Sequence, residues 1–182
     1  SNISQLDGII LEDYNKGVLT PKIIKEVLNL ASQKNIMVAV DPKFINFFNY
    51  KDVTVFKPNR KETEEAFGIR IMTEEDLINV GNKLLEKLNA QYVLLTLGEQ
   101  GMAIFEKGKD FIKIPTKARK VADVSGAGDT VISTLMIMLA AKANIYEAAY
   151  LANFAGGLVC EEVGIVPISA DKLFEEVEND DE

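Results

Sequence analysis

The chain has 182 residues, 47% of them hydrophobic, which is enough for one domain with a substantial core and too little for two full domains. Lys and Arg total 20 against 28 Asp and Glu, a formal charge of −8 with no basic cluster, which argues against nucleic acid or an anionic membrane surface as a partner. The lack of histidine removes Ser-His-Asp and Cys-His nucleophile systems, His-ligated zinc and histidine general bases together, and the single Cys160 excludes an internal disulfide.

Cys160 stands in Gly157-Leu158-Val159-Cys160, which reads as core packing in a reducing, cytoplasmic protein. No run reaches the roughly 18 consecutive apolar residues of a membrane span, and no signal-peptide pattern is present.

The first element is a buried strand, Asp7-Gly8-Ile9-Ile10-Leu11, closed by the charged and turn residues Glu12 to Gly17. Thr20-Pro21 opens a helix in the N-cap and N1 pattern, with Ile23, Ile24, Val27, Leu28 and Ala31 on one face. A second buried strand, Ile36 to Val40, is closed by Asp41-Pro42-Lys43, which puts a carboxylate at its C-terminal end. Strand, helix and strand with short connections make a βαβ unit, and such units build parallel sheets. The pattern continues with strand Val53 to Phe56, helices Lys61 to Phe67 and Glu74 to Leu88, and strand Tyr92 to Thr96. Met102 to Glu106 and Asp110 to Ile114 then flank Lys107-Gly108-Lys109 as a hairpin. Helices are expected over Asp129 to Lys142, Ile145 to Glu162 and Ser169 to Val177, and the acidic stretch Glu175 to Glu182 reads as a solvated, fraying tail. The expected fold class is α/β, a mostly parallel sheet flanked by helices on both faces, with residues 1–182 forming a single domain.

In open α/β sheets, ligands bind outside the carboxyl ends of the strands. Asp13, Asp41, Asn59 and Gly98 all follow strands on that side. Asp123-Val124-Ser125-Gly126-Ala127-Gly128-Asp129-Thr130 is a small-residue turn that opens onto the apolar run Val131 to Leu139. Unpaired N–H groups at such a helix start attract phosphate, and Asp129 there can take a proton from a hydroxyl that attacks it. The alternative is that Asp129 or Asp123 caps the helix. Asn59 stands three residues before Glu62, as a capping box or as a pair that organises water and Mg²⁺ around nucleotide phosphates. Thr96-Leu97-Gly98-Glu99-Gln100-Gly101 is a tight turn that either admits a ligand close to its backbone or joins two strands. Asp13 and Asp41 can equally make Asx turns, and Lys16 and Lys43 can be solvated charges.

Asp123 to Thr130 is similar to the C-terminal signature of the ribokinase-like, or PfkB, carbohydrate kinases, with Ser125 where the family usually has Thr. Asn59-Arg60-Lys61-Glu62 looks like the family's Asn-x-x-Glu motif and Thr96 to Gly101 like its nucleotide-binding turn. The order and spacing match through essentially the whole chain. Within the family, Glu12 to Leu19, Val40 to Lys43, Phe56 to Asn59, Asp129 to Ile132 and Leu151 to Ala155 resemble the D-glycero-β-D-manno-heptose 7-phosphate kinases, the kinase domain of a bifunctional enzyme of lipopolysaccharide synthesis.

The resemblance implies a ribokinase-like fold, ATP and Mg²⁺ as cofactors, and a sugar phosphate as substrate. It makes Asp129 the catalytic base, with the backbone N–H groups around Gly126, Ala127 and Gly128 as an anion hole. Asn59 and Glu62 would position Mg²⁺ and the phosphates, with Glu62 the metal residue. Thr96, Gly98, Gly101 and Asn153 would lie along the nucleotide, and Asp13, Lys16, Asp41 and Lys43 at the rim where substrate meets nucleotide. The family's N-terminal half, with most of the sugar site and a β lid, has no counterpart here. The chain is therefore expected to be the C-terminal, nucleotide-binding part of such a kinase, inactive alone and open to self-association. The alternatives are a non-catalytic nucleotide-binding module and a PfkB kinase for a fructose phosphate, ribose or a nucleoside.

Overall fold

The computed structural model describes residues 2–117 and 122–180. The chain divides into two compact units, Ser1–Gly98 with Ala103–Lys113 and Glu99–Met102 with Ile114–Glu182.

The first unit is built on a six-stranded sheet in the order β1 (Gly8–Glu12), β2 (Met37–Asp41), β3 (Val55–Phe56), β4 (Tyr92–Thr96), β5 (Met102–Glu106) and β6 (Ile112–Ile114). β1 to β4 are parallel, with Glu12 opposite Asp41, Val40 opposite Phe56 and Phe56 opposite Val93. Val38, Ala39 and Val40 of β2 and Val93, Leu94 and Leu95 of β4 are all buried. Such unbroken burial is the mark of parallel strands covered on both faces.

Helix α1 (Pro21–Gln33) starts where the N-cap pattern places it, because Thr20 accepts the Ile23 N–H at 3.3 Å and Pro21 needs no partner. It packs against β2 and buries Ile24 and Ala31. Helix α2 (Arg60–Phe67) follows β3, and α3 (Glu74–Leu88) packs against β4. A capping box between Thr73 and Asp76 fixes the start of α3, and Leu77, Val80, Leu84 and Leu88 recur at helical spacing on its buried face. Gly81 shares that face, and a Cβ there would overlap the ring of Phe105 on β5.

In the second unit, α4 (Ala127–Ala140) packs on α5 (Ile145–Cys160), and α6 (Ala170–Asp180) packs on α5. Small residues allow the close approach: a Cβ on Gly156 would lie 2.6 Å from Val131 Cγ2, and Ala148, Ala149, Ala152 and Ala155 are buried beside it on α5.

Three expectations change. The acidic stretch from Glu175 is helical through Asp180 rather than frayed, because Leu173 and Val177, one turn apart, pack with Phe154 and Leu158 of α5. Asp181 and Glu182 lie outside the described residues. The sixth strand is only Ile112–Ile114, since Phe111 leaves the strand path to stack on Phe105 at 5.7 Å. The third strand keeps only Val55 and Phe56. Among the described residues no helix is long and apolar enough to cross a membrane.

Candidate active site

Because β1 to β4 run parallel, the residues that end or follow them collect on one edge of the first unit. Asp13 follows β1, Asp41 ends β2, Asn59 lies beyond β3 and Gly98 beyond β4. Backbone bonds fix their spacing: Asp13 N–H donates to Asp41 O at 3.0 Å, and Thr96 N–H donates to Pro58 O at 3.0 Å beside an Asn59–Thr96 bridge.

Charges converge at this edge. Lys57, with only 3% of its side chain exposed, lies 3.0 Å from Asp41 Oδ2. The Lys43 ammonium is 3.9 Å from Asp41 Oδ1 and donates to Glu62 Oε1. Glu62 Oε2 accepts the Asn59 N–H at 2.9 Å, while Asn59 Oδ1 accepts the Glu62 N–H at 2.8 Å. The capping box is therefore real, yet it uses only one oxygen of Glu62. Lys43 is not the solvated charge it could have been, because two carboxylates attract it.

Among the described residues, no group of three or more His, Cys, Asp or Glu could hold a metal ion by itself. Mg²⁺, however, commonly takes one or two carboxylates and completes its shell with phosphate oxygens and water. Asp41 and Glu62, already drawn around the ammonium of Lys43, are a donor set of that kind. These residues fit Mg²⁺ that arrives with a nucleotide.

Asp13 makes the Asx-type turn that its place after a strand allows, and more. It is 4% exposed, and its Oδ2 accepts the Tyr50 hydroxyl at 2.7 Å and Asn46 Nδ2 at 3.1 Å, while Oδ1 accepts the Asn15 N–H at 2.8 Å. With both oxygens engaged inside the unit, it anchors the loop that follows β1. Burial, and then the neighbouring Asp13 carboxylate, push the Tyr50 hydroxyl far above its ordinary pKa, so it remains a donor. Asn46 also donates to Leu19 O at 2.8 Å, tying both ends of the loop that carries the exposed Lys16. Sequence reading missed Asn46 and Tyr50. The available signal was three polar groups, Asn46, Asn49 and Tyr50, set among the apolar residues of Phe44-Ile45-Asn46-Phe47-Phe48-Asn49-Tyr50.

In the second unit the start of α4 has no side-chain cap. Its N-cap is Gly126, left-handed at φ 80°, a conformation that favours glycine and a residue with no side chain to cap the helix. Asp129 stands half-buried in the first turn, beside the positive end of a 14-residue helix. The Ala127 N–H is directed at Val124 O at 3.3 Å. Asp123 instead organises the approach: its Oδ1 accepts the Ser125 N–H at 2.9 Å and its Oδ2 the Gly164 N–H at 3.2 Å. The Ser125 hydroxyl, and after it these N–H groups, hold its carboxyl below the usual carboxylate range.

Gly101 and Asn153 both serve the segment Ile114–Thr116. Gly101 is left-handed at φ 83°, and a Cβ there would overlap the Ile114 carbonyl, so glycine is required for backbone to pass backbone. The Asn153 side chain is buried and donates to Pro115 O at 2.6 Å. Thr96 is half-buried and Gly98 exposed. Burial pushes the Cys160 thiol up, which agrees with a packing role.

Residues 2–172 match the family described as pfkB family carbohydrate kinase. The bifunctional protein HldE of Aliarcobacter butzleri is 43% identical over 174 residues, covering 96% of this chain and 36% of that protein. The chain thus spans about a third of the length of the curated relatives it matches. Phosphofructokinase-2 from Escherichia coli in complex with potassium superposes with a TM-score of 0.82 at 18% identity, over 93% of this chain and 56% of that one. Arabidopsis thaliana ribokinase complexed with ribose and ATP gives a TM-score of 0.81 at 22% identity, over 92% and 55%. These likenesses give the ribokinase-like α/β fold. With the family match running through nearly the whole of the chain, the chain belongs to the pfkB family of carbohydrate kinases.

Proposed function

We propose that the chain is the nucleotide-binding part of an ATP-dependent kinase that phosphorylates D-glycero-β-D-manno-heptose 7-phosphate at its anomeric hydroxyl, giving the 1,7-bisphosphate for ADP-heptose and lipopolysaccharide core synthesis in the cytoplasm. The observation that carries this reading is the start of α4, where Asp129 occupies the first turn behind a left-handed glycine N-cap. A carboxylate there lies where phosphate is attracted, and so it is placed for acid-base work.

In this mechanism Asp129 takes the proton of the acceptor hydroxyl while that oxygen attacks the γ-phosphorus in line and the bond to ADP breaks. The positive end of α4 meets the charge on the transferring phosphoryl group. Asn59 and Glu62, with Asp41, would hold Mg²⁺ and its waters, and the ion would supply charge neutralisation on the phosphates. Lys16 and Lys43 add cations at the rim where substrate meets nucleotide, Thr96 and Gly98 lie along the nucleotide, and Gly101 and Asn153 shape its adenosine side through Ile114–Thr116. The choice of a heptose acceptor rests on the segments Glu12–Leu19, Val40–Lys43 and Leu151–Ala155, together with 43% identity to a bifunctional HldE protein.

The test offers the intact protein ATP and Mg²⁺ with heptose 7-phosphate, fructose 6-phosphate, ribose and a nucleoside. Heptose 7-phosphate should exceed the others in kcat/KM by about 100-fold or more. Preference for another acceptor would reassign the substrate, and nucleotide binding without turnover of any acceptor would leave a non-catalytic module.

A further inference from the structure

The two lysines at the sheet edge are not equivalent. Lys57 is enclosed and faces Asp41. Lys43 keeps 35% of its side chain exposed and lies with its ammonium between Asp41 and Glu62. Glu62 cannot turn away, because its Oε2 is fixed by the Asn59 N–H, so its Oε1 is presented to whatever cation lies there.

Resting on the reading of this edge as the metal and nucleotide side of the site, we propose that Lys43 is a resident counter-ion: in the nucleotide-free protein its ammonium holds the place of a divalent cation between Asp41 and Glu62, and it gives way when metal and nucleotide arrive together. Two ammonium groups and two carboxylates leave the cluster with no net charge. A free divalent ion then gains little on entering, since it must shed water and displace a cation already in contact with the same oxygen. A nucleotide changes the balance by bringing phosphate oxygens, which complete the metal shell and offer the displaced ammonium a new partner. Lys43 suits this exchange because a lysine is a compact charge on a flexible stem, and a half-exposed ion pair is weakly held. Lys57 is too enclosed to leave. The consequence is ordered uptake, with metal bound alongside nucleotide and not before it.

The test is Mn²⁺ titration of the intact, nucleotide-free protein, with free Mn²⁺ read by electron paramagnetic resonance. Removing a unit charge in contact with the site should tighten Mn²⁺ binding about tenfold or more in Lys43→Met, and equally in Lys43→Gln, which covers the loss of one variant to misfolding. Lys61→Met removes the same charge from a side chain that is 84% exposed and adjacent in sequence to Glu62, and should stay within about twofold of wild type. Adding Glu62→Gln to Lys43→Met should abolish the gain. Unchanged Mn²⁺ affinity in both Lys43 variants, or equal tightening in Lys61→Met, would overturn the proposal. Because the readout is bound metal, tightening in a protein that phosphorylates no sugar would defeat the kinase reading and leave the assignment of Lys43 standing.

Discussion

Asp123 Oδ2 accepts the backbone N–H of Gly164 at 3.2 Å, binding the loop that leads into α4 to the turn that follows α5. Two further bonds secure the same connection, from the Ala122 and Asp123 N–H groups to Cys160 O at 2.7 and 3.2 Å. The loop that leads to the left-handed Gly126 and the start of α4 is therefore held by a tie that closes across 41 residues.

That tie is pH-dependent. Its folded pKa lies below the unfolded value, held there by the Ser125 hydroxyl first and then by the Ser125 and Gly164 N–H groups. The contribution is fully present above the unfolded pKa of about 3.9 and is lost as pH falls through the lower folded value. Thermal unfolding should place Asp123→Asn below wild type at about pH 7, with the two curves converging toward about pH 2. A gap that stays constant with pH would show that the carboxylate charge is not the tie.

Asp129→Asn keeps the size of the side chain and removes the proposed base. In the intact kinase it should lower kcat by about 100-fold or more, the usual contribution of a general base, while ADP affinity by calorimetry stays within about threefold. Near-normal turnover would remove Asp129 from its role.

Tyr50→Phe deletes one hydroxyl from the core and leaves Asp13 with one donor fewer. A hydrogen bond to a buried charge contributes about 2 kcal/mol, so urea unfolding should show a loss of that order with an unchanged m-value. Asp13→Asn removes the charge itself and should cost less in the Tyr50→Phe background than alone, because the two groups share one interaction.

Gly81→Ala sets two effects against each other. Alanine favours a helix interior by about 1 kcal/mol over glycine, whereas forcing a methyl into a packed core costs about 1–3 kcal/mol. The neighbour here is the ring of Phe105, which is almost fully buried and has little room to move. The variant should therefore be destabilised by about 1 kcal/mol in the same unfolding measurement. A gain in stability would mean that the ring can shift.

Much of the fold was legible because its signals are local. The Thr20-Pro21 start of α1, the periodic face of α3 and the apolar runs of β1, β2 and β4 depend on residues within about one turn or one strand of each other. The same holds for Asn59 and Glu62, whose capping box formed as spaced. The edges of elements were less legible, since Phe111 leaves its strand for a ring contact and α6 is prolonged by packing on α5.

The sequence by itself determined the α/β layout, the carboxyl-edge placement of Asp13, Asp41 and Asn59, and the small-residue helix start that carries Asp129. Only the tertiary structure decided what each charge does. Asp13 and Asp41 look alike in the chain, each an acid at the end of an apolar run. Folding brings Tyr50, 37 residues on, to the first and Lys57, 16 residues on, to the second, making one a loop anchor and the other half of an ion pair. Lys43 would be a solvated charge but for Glu62, 19 residues away. Periodicity and capping act between near neighbours in sequence, whereas the cost of burying a charge is met by whichever group the fold sets beside it.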